Sequence, residues 1–325
     1  MNGEITETAY GRIGLLGNPS DMYGGKCISF TFNNLARVSV VDSERFEIIG
    51  SDDGEKPDDI NYTGSHKLIK ATIRYLKEFG LEEGIGVSPI RIVYDSNIPL
   101  GSGLAGSSAI IIAALRVFNK RYGLEMDRYQ IAETALHVET DELGISAGFQ
   151  DRYAISFEGM NHLDFTGKEY MKKHPDDEYG KVRRLDVKGI PFFLCLGVQP
   201  KSSAIVHNPL REEFLRGGLR AKEIKSHMDN IAELADRGVE PLLGRDWSKL
   251  GELMNENTLL RDKYNLTLSK DRELIRASLA YGALGAKVAG SGGAIVVLTD
   301  EGDSRGVFDK MIRNPYPCMK PEVVG

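Results

Sequence analysis

The sequence predicts an α+β fold of two lobes, a sheet-rich N-terminal lobe over residues 1–180 and a helix-rich C-terminal lobe over 181–325. Length is one reason: 325 residues exceed what a single compact core commonly holds. Patterning is another. Short apolar runs broken by turn residues occupy 12–50, whereas 211–257 is mostly helical in period. Composition agrees, because 41% hydrophobic and 27% charged residues are ordinary for a packed globular chain.

In chain order, "RIGLLG" (12–17) is an apolar run ending in a turn, and "NPSDMYGG" follows it. "KCISFTF" (26–32), "ARVSVV" (36–41) and "RFEIIG" (45–50) read as three strands with hairpin-type connections. "SDDGEKPDD" (51–59) reads as an exposed acidic loop. From His66 to Phe79, Leu68, Ile69, Ala71, Ile73 and Leu76 recur at helical spacing. "IRIVY" (90–94) is a strand, "PLGSGLAGSSA" (99–109) a glycine-rich turn and "AIIIAALRVF" (109–118) a buried helix. Asp127 N-caps a second helix that runs to His137. The polar stretch "TGKEYMKKHPDDEYGK" (166–181) marks the lobe boundary. Beyond it, "PFFLCLGV" (191–198) is a buried strand and "ELIRASLAYGALGA" (273–286) a helix. "KVAGSGGAIVVL" (287–298) is a glycine turn entering a strand.

A net charge of −6 offers no general attraction to nucleic acid or to an anionic membrane, so phosphates would have to be held by local groups. The three cysteines, Cys27, Cys195 and Cys318, are too few and too scattered for a disulfide framework or a zinc site. Reduced thiols in a cytoplasmic setting are expected. "MNGEITETAY" lacks the basic and apolar regions of a secretory signal. No apolar run approaches the ~20 residues that span a bilayer. Oligomeric state is not legible.

The turn at 99–109 is the most informative stretch. The first N–H groups of a helix lack internal partners and carry partial positive charge, and glycines let a phosphate approach them closely. "GSGLAG" (101–106) matches the dinucleotide pattern G-x-G-x-x-G. That unit requires a second strand and an acidic residue after the helix, but "LEMDRYQIAETALHVE" is amphipathic helix instead. No lysine follows the glycines, so the P-loop pattern fails as well. Ser107 and Ser108 at the helix start either cap it or present hydroxyls to phosphate and Mg²⁺.

Three segments, "GRIGLLGNPSDMYGGKCISF" (11–30), "PLGSGLAGSSA" (99–109) and "GAKVAGSGGAIVVL" (285–298), together resemble the three motifs of the GHMP kinase superfamily. That group includes galactokinase, homoserine kinase, mevalonate kinase and phosphomevalonate kinase. Within it, "GLLGNPSDMYGGKCISF" and "ELGISAGFQDRYA" (142–154) look most like the glucuronokinases, with "VHN" (206–208) and "LMNENTLLR" (253–261) as looser matches. The resemblance implies a two-lobed α+β kinase with ATP in the cleft and Mg²⁺ as cofactor. It implies transfer to the anomeric hydroxyl of a sugar acid, glucuronate, giving glucuronate 1-phosphate. Heptose phosphate, another sugar or mevalonate are the alternative acceptors. An oxidoreductase and a non-catalytic sugar-binding regulator are the rivals from other classes. The missing strand disfavours the first, and the intact Ser108, Glu139 and Asp151 set disfavours the second.

By the same resemblance, Pro99, Gly101, Ser102, Gly103, Leu104, Ala105, Gly106, Ser107 and Ser108 hold the ATP phosphates. Ser108 and Glu139 ligate the metal, with Asp141 and Glu142 close enough to compete for that role. Asp151 is the base that takes the acceptor proton, and Arg12 offsets charge on the transferred group or orients Asp151. Asp21 accepts from a vicinal diol, as a carboxylate can. Asn18 and Ser20 are further hydroxyl contacts, because "NPSD" stands where galactokinases carry glutamate and histidine before the aspartate. Gly290, Gly292 and Gly293 pack against the phosphate loop or the substrate. A sugar acid needs a cation for its carboxylate; Arg261 is the expected one, with Arg152 second. Trp247, His137 and His162 read as structural.

Overall fold

The computed structural model describes residues 3–50, 66–77, 89–145, 147–168, 179–197, 204–314 and 316–325, of which 204–208 by backbone alone. The acidic loop at 51–59 and most of the polar stretch at 166–181 lie outside the described residues.

The N-terminal sheet is built on one long strand. β1 (Ile5–Leu16) pairs antiparallel with β2 (Lys26–Asp42), in which the two expected strands "KCISFTF" and "ARVSVV" run on without a break. The first half of β2 is buried on both faces, with Ser29 and Thr31 between its apolar residues; the second half alternates. β3 (Glu47–Gly50) does not form a hairpin with its neighbour in sequence. It runs parallel to β4 (Ile90–Ser96), with α1 (Lys67–Leu76) between them, because parallel strands need a crossover. β5 (Met160–Asp164) pairs with β2, and β6 (Lys181–Arg184) with β5. The order is β3-β4-β2-β5-β6, with β1 on β2. β6 belongs to this sheet, and residues 185–191 connect it to the first strand of a second sheet.

The C-terminal lobe is helix-rich, with α5 (Ala204–Leu215), α6 (Gly218–Leu243), α7 (Trp247–Asp262), α8 (Ser269–Ala280) and α9 (Val307–Arg313). It also owns an antiparallel sheet of β7 (Phe192–Leu196), β8 (Gly285–Val288), β9 (Ala294–Leu298) and β10 (Cys318–Met319), in the order β10-β7-β9-β8. Cys195 and Cys318 face each other across β7 and β10 and form a disulfide, which corrects the expectation of three reduced thiols. They are 123 positions apart, so only the strand pairing brings them together. Cys27 is free and buried.

α2 (Gly106–Tyr122) packs on β1 and β2. Its run of isoleucines is a weak helix former, but burial on nearly all sides overrides propensity, and Ala113 and Ala114 allow close approach to the sheet. α3 (Arg128–His137) starts as expected: the Asp127 carboxylate accepts from Gln130 N and the Gln130 side chain from Asp127 N, each at 2.8 Å. One apolar cluster runs from Ala9 and Phe30 to Val296 and Leu298, so the lobes share a core. The last residues return to the first sheet. Thr31 Oγ1 donates to Val324 O (2.6 Å), Val324 N to Thr31 O (3.1 Å) and Asn33 N to Glu322 O (3.0 Å). No helix among the described residues is long and apolar enough to cross a membrane.

Candidate active site

Two glycine turns from opposite lobes meet at the site. An ideal Cβ on Gly103 (φ +66°) would lie 2.5 Å from Gly292 O, and one on Gly293 would lie 2.4 Å from Gly101 O. Neither position has room for a side chain, which is the physical content of the glycine patterns at 99–109 and 285–298. Asp271, buried in the first turn of α8, accepts Gly293 N–H at 3.0 and 3.2 Å and holds the third turn in place.

The loop at 99–105 delivers the chain into α2, whose N-terminal amides open toward it. Ser102 Oγ donates to Pro99 O (2.5 Å) and stiffens the loop. Ser107 is exposed. Ser108 is buried and donates to Glu139 Oε1 (2.8 Å), so these two metal candidates meet. Glu139 lies in a π turn (Val138–Glu142) after α3, and its other oxygen faces Arg152. The competing acids are engaged elsewhere, Asp141 with His137 and Glu142 with Arg74.

A cleft opens beside this point, lined by Arg12, Asn18, Asp21, Asp151, Arg152 and Gly290, with an apolar wall of Met22, Ile145 and Ala147. Asp151 sits in the first turn of α4 (Gln150–Phe157), on a helix rather than in a turn before an apolar segment. Arg12 Nε donates to Asp151 Oδ1 (2.7 Å), while Nη1 donates to Gly103 O (2.7 Å) and Ala289 O (3.3 Å). One buried guanidinium thus ties Asp151 to both glycine turns. Asp21 is buried, and its Oδ2 accepts Gln150 N–H at 3.0 Å. Burial raises its pKa, only partly offset by that amide and by the Arg12 and Arg152 charges.

Two expected contacts lie elsewhere. Ser20 turns into its own loop, where its hydroxyl donates to Lys26 O (3.0 Å). Arg261 is fully buried at the end of α7, outside the cleft lining; its Nη2 donates to Leu266 O (2.8 Å) and it faces the Asp271 charge. Burial pulls it down to about 10. Gly290 lines the cleft, but Gly292 and Gly293 pack against the glycine loop at 101–103. Trp247, His137 and His162 are structural, paired with Glu301, Asp141 and Asp236.

Sequence reasoning missed Lys287 and Asn257. Both are fully buried. Lys287 Nζ donates to Asn18 Oδ1 (2.5 Å), Val288 O (2.8 Å) and Gly14 O (3.1 Å). Asn257 accepts Gly17 N–H (2.9 Å) and donates to Asn18 O (3.1 Å), clamping that backbone. A lysine inside an otherwise apolar strand, "GAKV", was the available signal.

Residues 67–159 match the family model described as GHMP kinases N terminal domain, and 220–318 match GHMP kinases C terminal. The chain is 34% identical to Probable glucuronokinase 2 of Arabidopsis thaliana, over 94% of this chain and 87% of that protein. It is 33% identical to Glucuronokinase 1 of the same plant, over 93% and 86%. Among solved structures, Streptococcus pneumoniae phosphomevalonate kinase in complex with phosphomevalonate and AMPPNP superposes with a TM-score of 0.81 at 15% identity, covering 98% of this chain and all (100%) of that one.

Proposed function

Because the chain belongs to the GHMP kinases, we propose that it is the kinase of a sugar acid, phosphorylating the anomeric hydroxyl of glucuronate to give glucuronate 1-phosphate. It is an ATP-dependent sugar kinase, transferring phosphate to a hydroxyl. The observation that carries the mechanism is the Arg12–Asp151 pair beside the joined glycine turns. Arg12 occupies Asp151 Oδ1, which leaves Oδ2 to face the acceptor hydroxyl. The acceptor oxygen attacks the γ-phosphorus, the bond from that phosphorus to the β,γ-bridging oxygen breaks, ADP leaves, and the hydroxyl proton passes to Asp151. The glycine loop and the α2 N-terminus cradle the phosphates. Asp21 accepts from sugar hydroxyls.

Ser108 and Glu139 would hold Mg²⁺. A hydroxyl and a carboxylate in contact fit an ion that takes one or two protein oxygens. When bound, it would neutralise charge on the phosphates. Dependence on ATP supports a cytoplasmic location, while the Cys195–Cys318 bond is a feature that favours an oxidising one.

The test is a panel of sugars, sugar acids and mevalonate with ATP and Mg²⁺, the product being identified by phosphorus NMR. Preference for a neutral or phosphorylated sugar removes the sugar-acid assignment and leaves the kinase in place. Ser108→Ala should raise the KM for MgATP more than that for the sugar. A lower melting temperature with unchanged kinetics at saturating Mg²⁺ would make Ser108 a cap only.

A further inference from the structure

Asn18 carries a donor with nothing to donate to. The residue is 2% exposed and lines the cleft, yet its Nδ2 has no hydrogen-bond partner among the described residues. Amide orientation is ordinarily ambiguous, but here a neighbour decides it. An ammonium only donates, so the atom 2.5 Å from Lys287 Nζ must be the carbonyl oxygen. The NH₂ group is therefore the other arm of the amide, away from Lys287. Asn257 grips the backbone on both sides of Asn18, which prevents the residue from swinging away.

Lys287 also supplies charge. Burial, with the Arg261 and Arg12 charges, pulls its pKa well down, and the shell of three oxygens around Nζ favours the charged form against that pull. Its positive charge lies one amide behind the cleft wall and polarises that amide toward stronger donation.

We propose that Asn18 is the specificity contact for the substrate's carboxylate, donating through Nδ2 and relaying the charge of Lys287. This rests on the sugar-acid reading and deepens it. A carboxylate only accepts, so it fills an orphan donor without needing an acceptor in return. It also gives the acid the cation it requires, in place of Arg261.

The experiment compares glucuronate with glucuronamide, its uncharged isostere, using the intact enzyme and saturating MgATP. Asn18→Asp keeps the shape and the Lys287 contact but puts a carboxylate oxygen where the NH₂ stood. The KM for glucuronate should rise at least tenfold, while glucuronamide is used as well as before or better. The KM for MgATP and the melting temperature should hold. Equal losses for acid and amide, or no loss for the acid, overturn the subsite. A wild-type enzyme that uses glucuronamide as readily as glucuronate overturns the sugar-acid reading itself, so the two failures are told apart.

Discussion

A carboxylate buried against its own electrostatic interest is the clearest sign of function at the level of single residues. Asp21 is 6% exposed and its pKa is raised above 3.8 by burial, so folding works against its charge. Below 3.8 the group is neutral in both states and costs nothing. As pH rises, the unfolded chain ionises first and stability falls, until the folded pKa is passed. Asp21→Asn should therefore melt at or above the wild-type temperature at pH 7.5, with the gap closing as the pH falls through the raised folded pKa toward 3.8, and should lose sugar binding. A variant that melts lower at pH 7.5 would show the charge to be stabilising. Asp151→Asn should lower turnover by about 10²–10⁴ while ATP binding persists, because the amide cannot take a proton. Calorimetric titration with a non-hydrolysable ATP analogue, set beside steady-state rates, reads both halves. Arg12, Asp21, Ser108, Glu139 and Asp151 could be singled out because each lies in or beside a segment that resembles a family motif. Lys287 and Asn257 were not, since their roles exist only through contacts with residues 14–18, which pairing of distant segments creates. Arg261 was expected to meet the substrate's carboxylate, and here the chain turns it inward, away from the cleft.

At the level of elements, the strong local signals held. The Asp127 N-cap of α3 and the buried α2 were both visible in composition and spacing. Partnership was not visible. β3 looked like another hairpin arm, and nothing local to "EIIG" says that its neighbour lies beyond a helix. The third glycine turn shows the same limit, for its anchor is Asp271 on α8. Asp271→Ala leaves the buried Gly293 N–H unsatisfied, a cost of about 1–3 kcal/mol, and removes the strongest negative charge compensating Arg261. The variant should melt lower and show a raised KM for MgATP with a smaller change for the sugar. Equal effects on both substrates would mean that the anchor serves the fold alone.

At the level of the whole molecule, two lobes were foreseen but their unity was not. The shared core and the returning tail make the lobes one unit. Deleting 320–325 should lower the melting temperature by about 1.5–3 °C, as a loss of about 1–2 kcal/mol implies for a chain of this size. An unchanged melting curve would make the tail ornamental. The tail also sets a schedule. Thr31 waits for Val324, 293 positions later, so at 5–20 residues per second the ribosome keeps that part of the N-terminal sheet unfinished for roughly 15–60 s. During synthesis the edge at 31–33 is open to other strands, and a chaperone or slow translation upstream would matter most there. Nascent chains stalled before 320 should be cut by protease in the N-terminal half, and those released at full length should not.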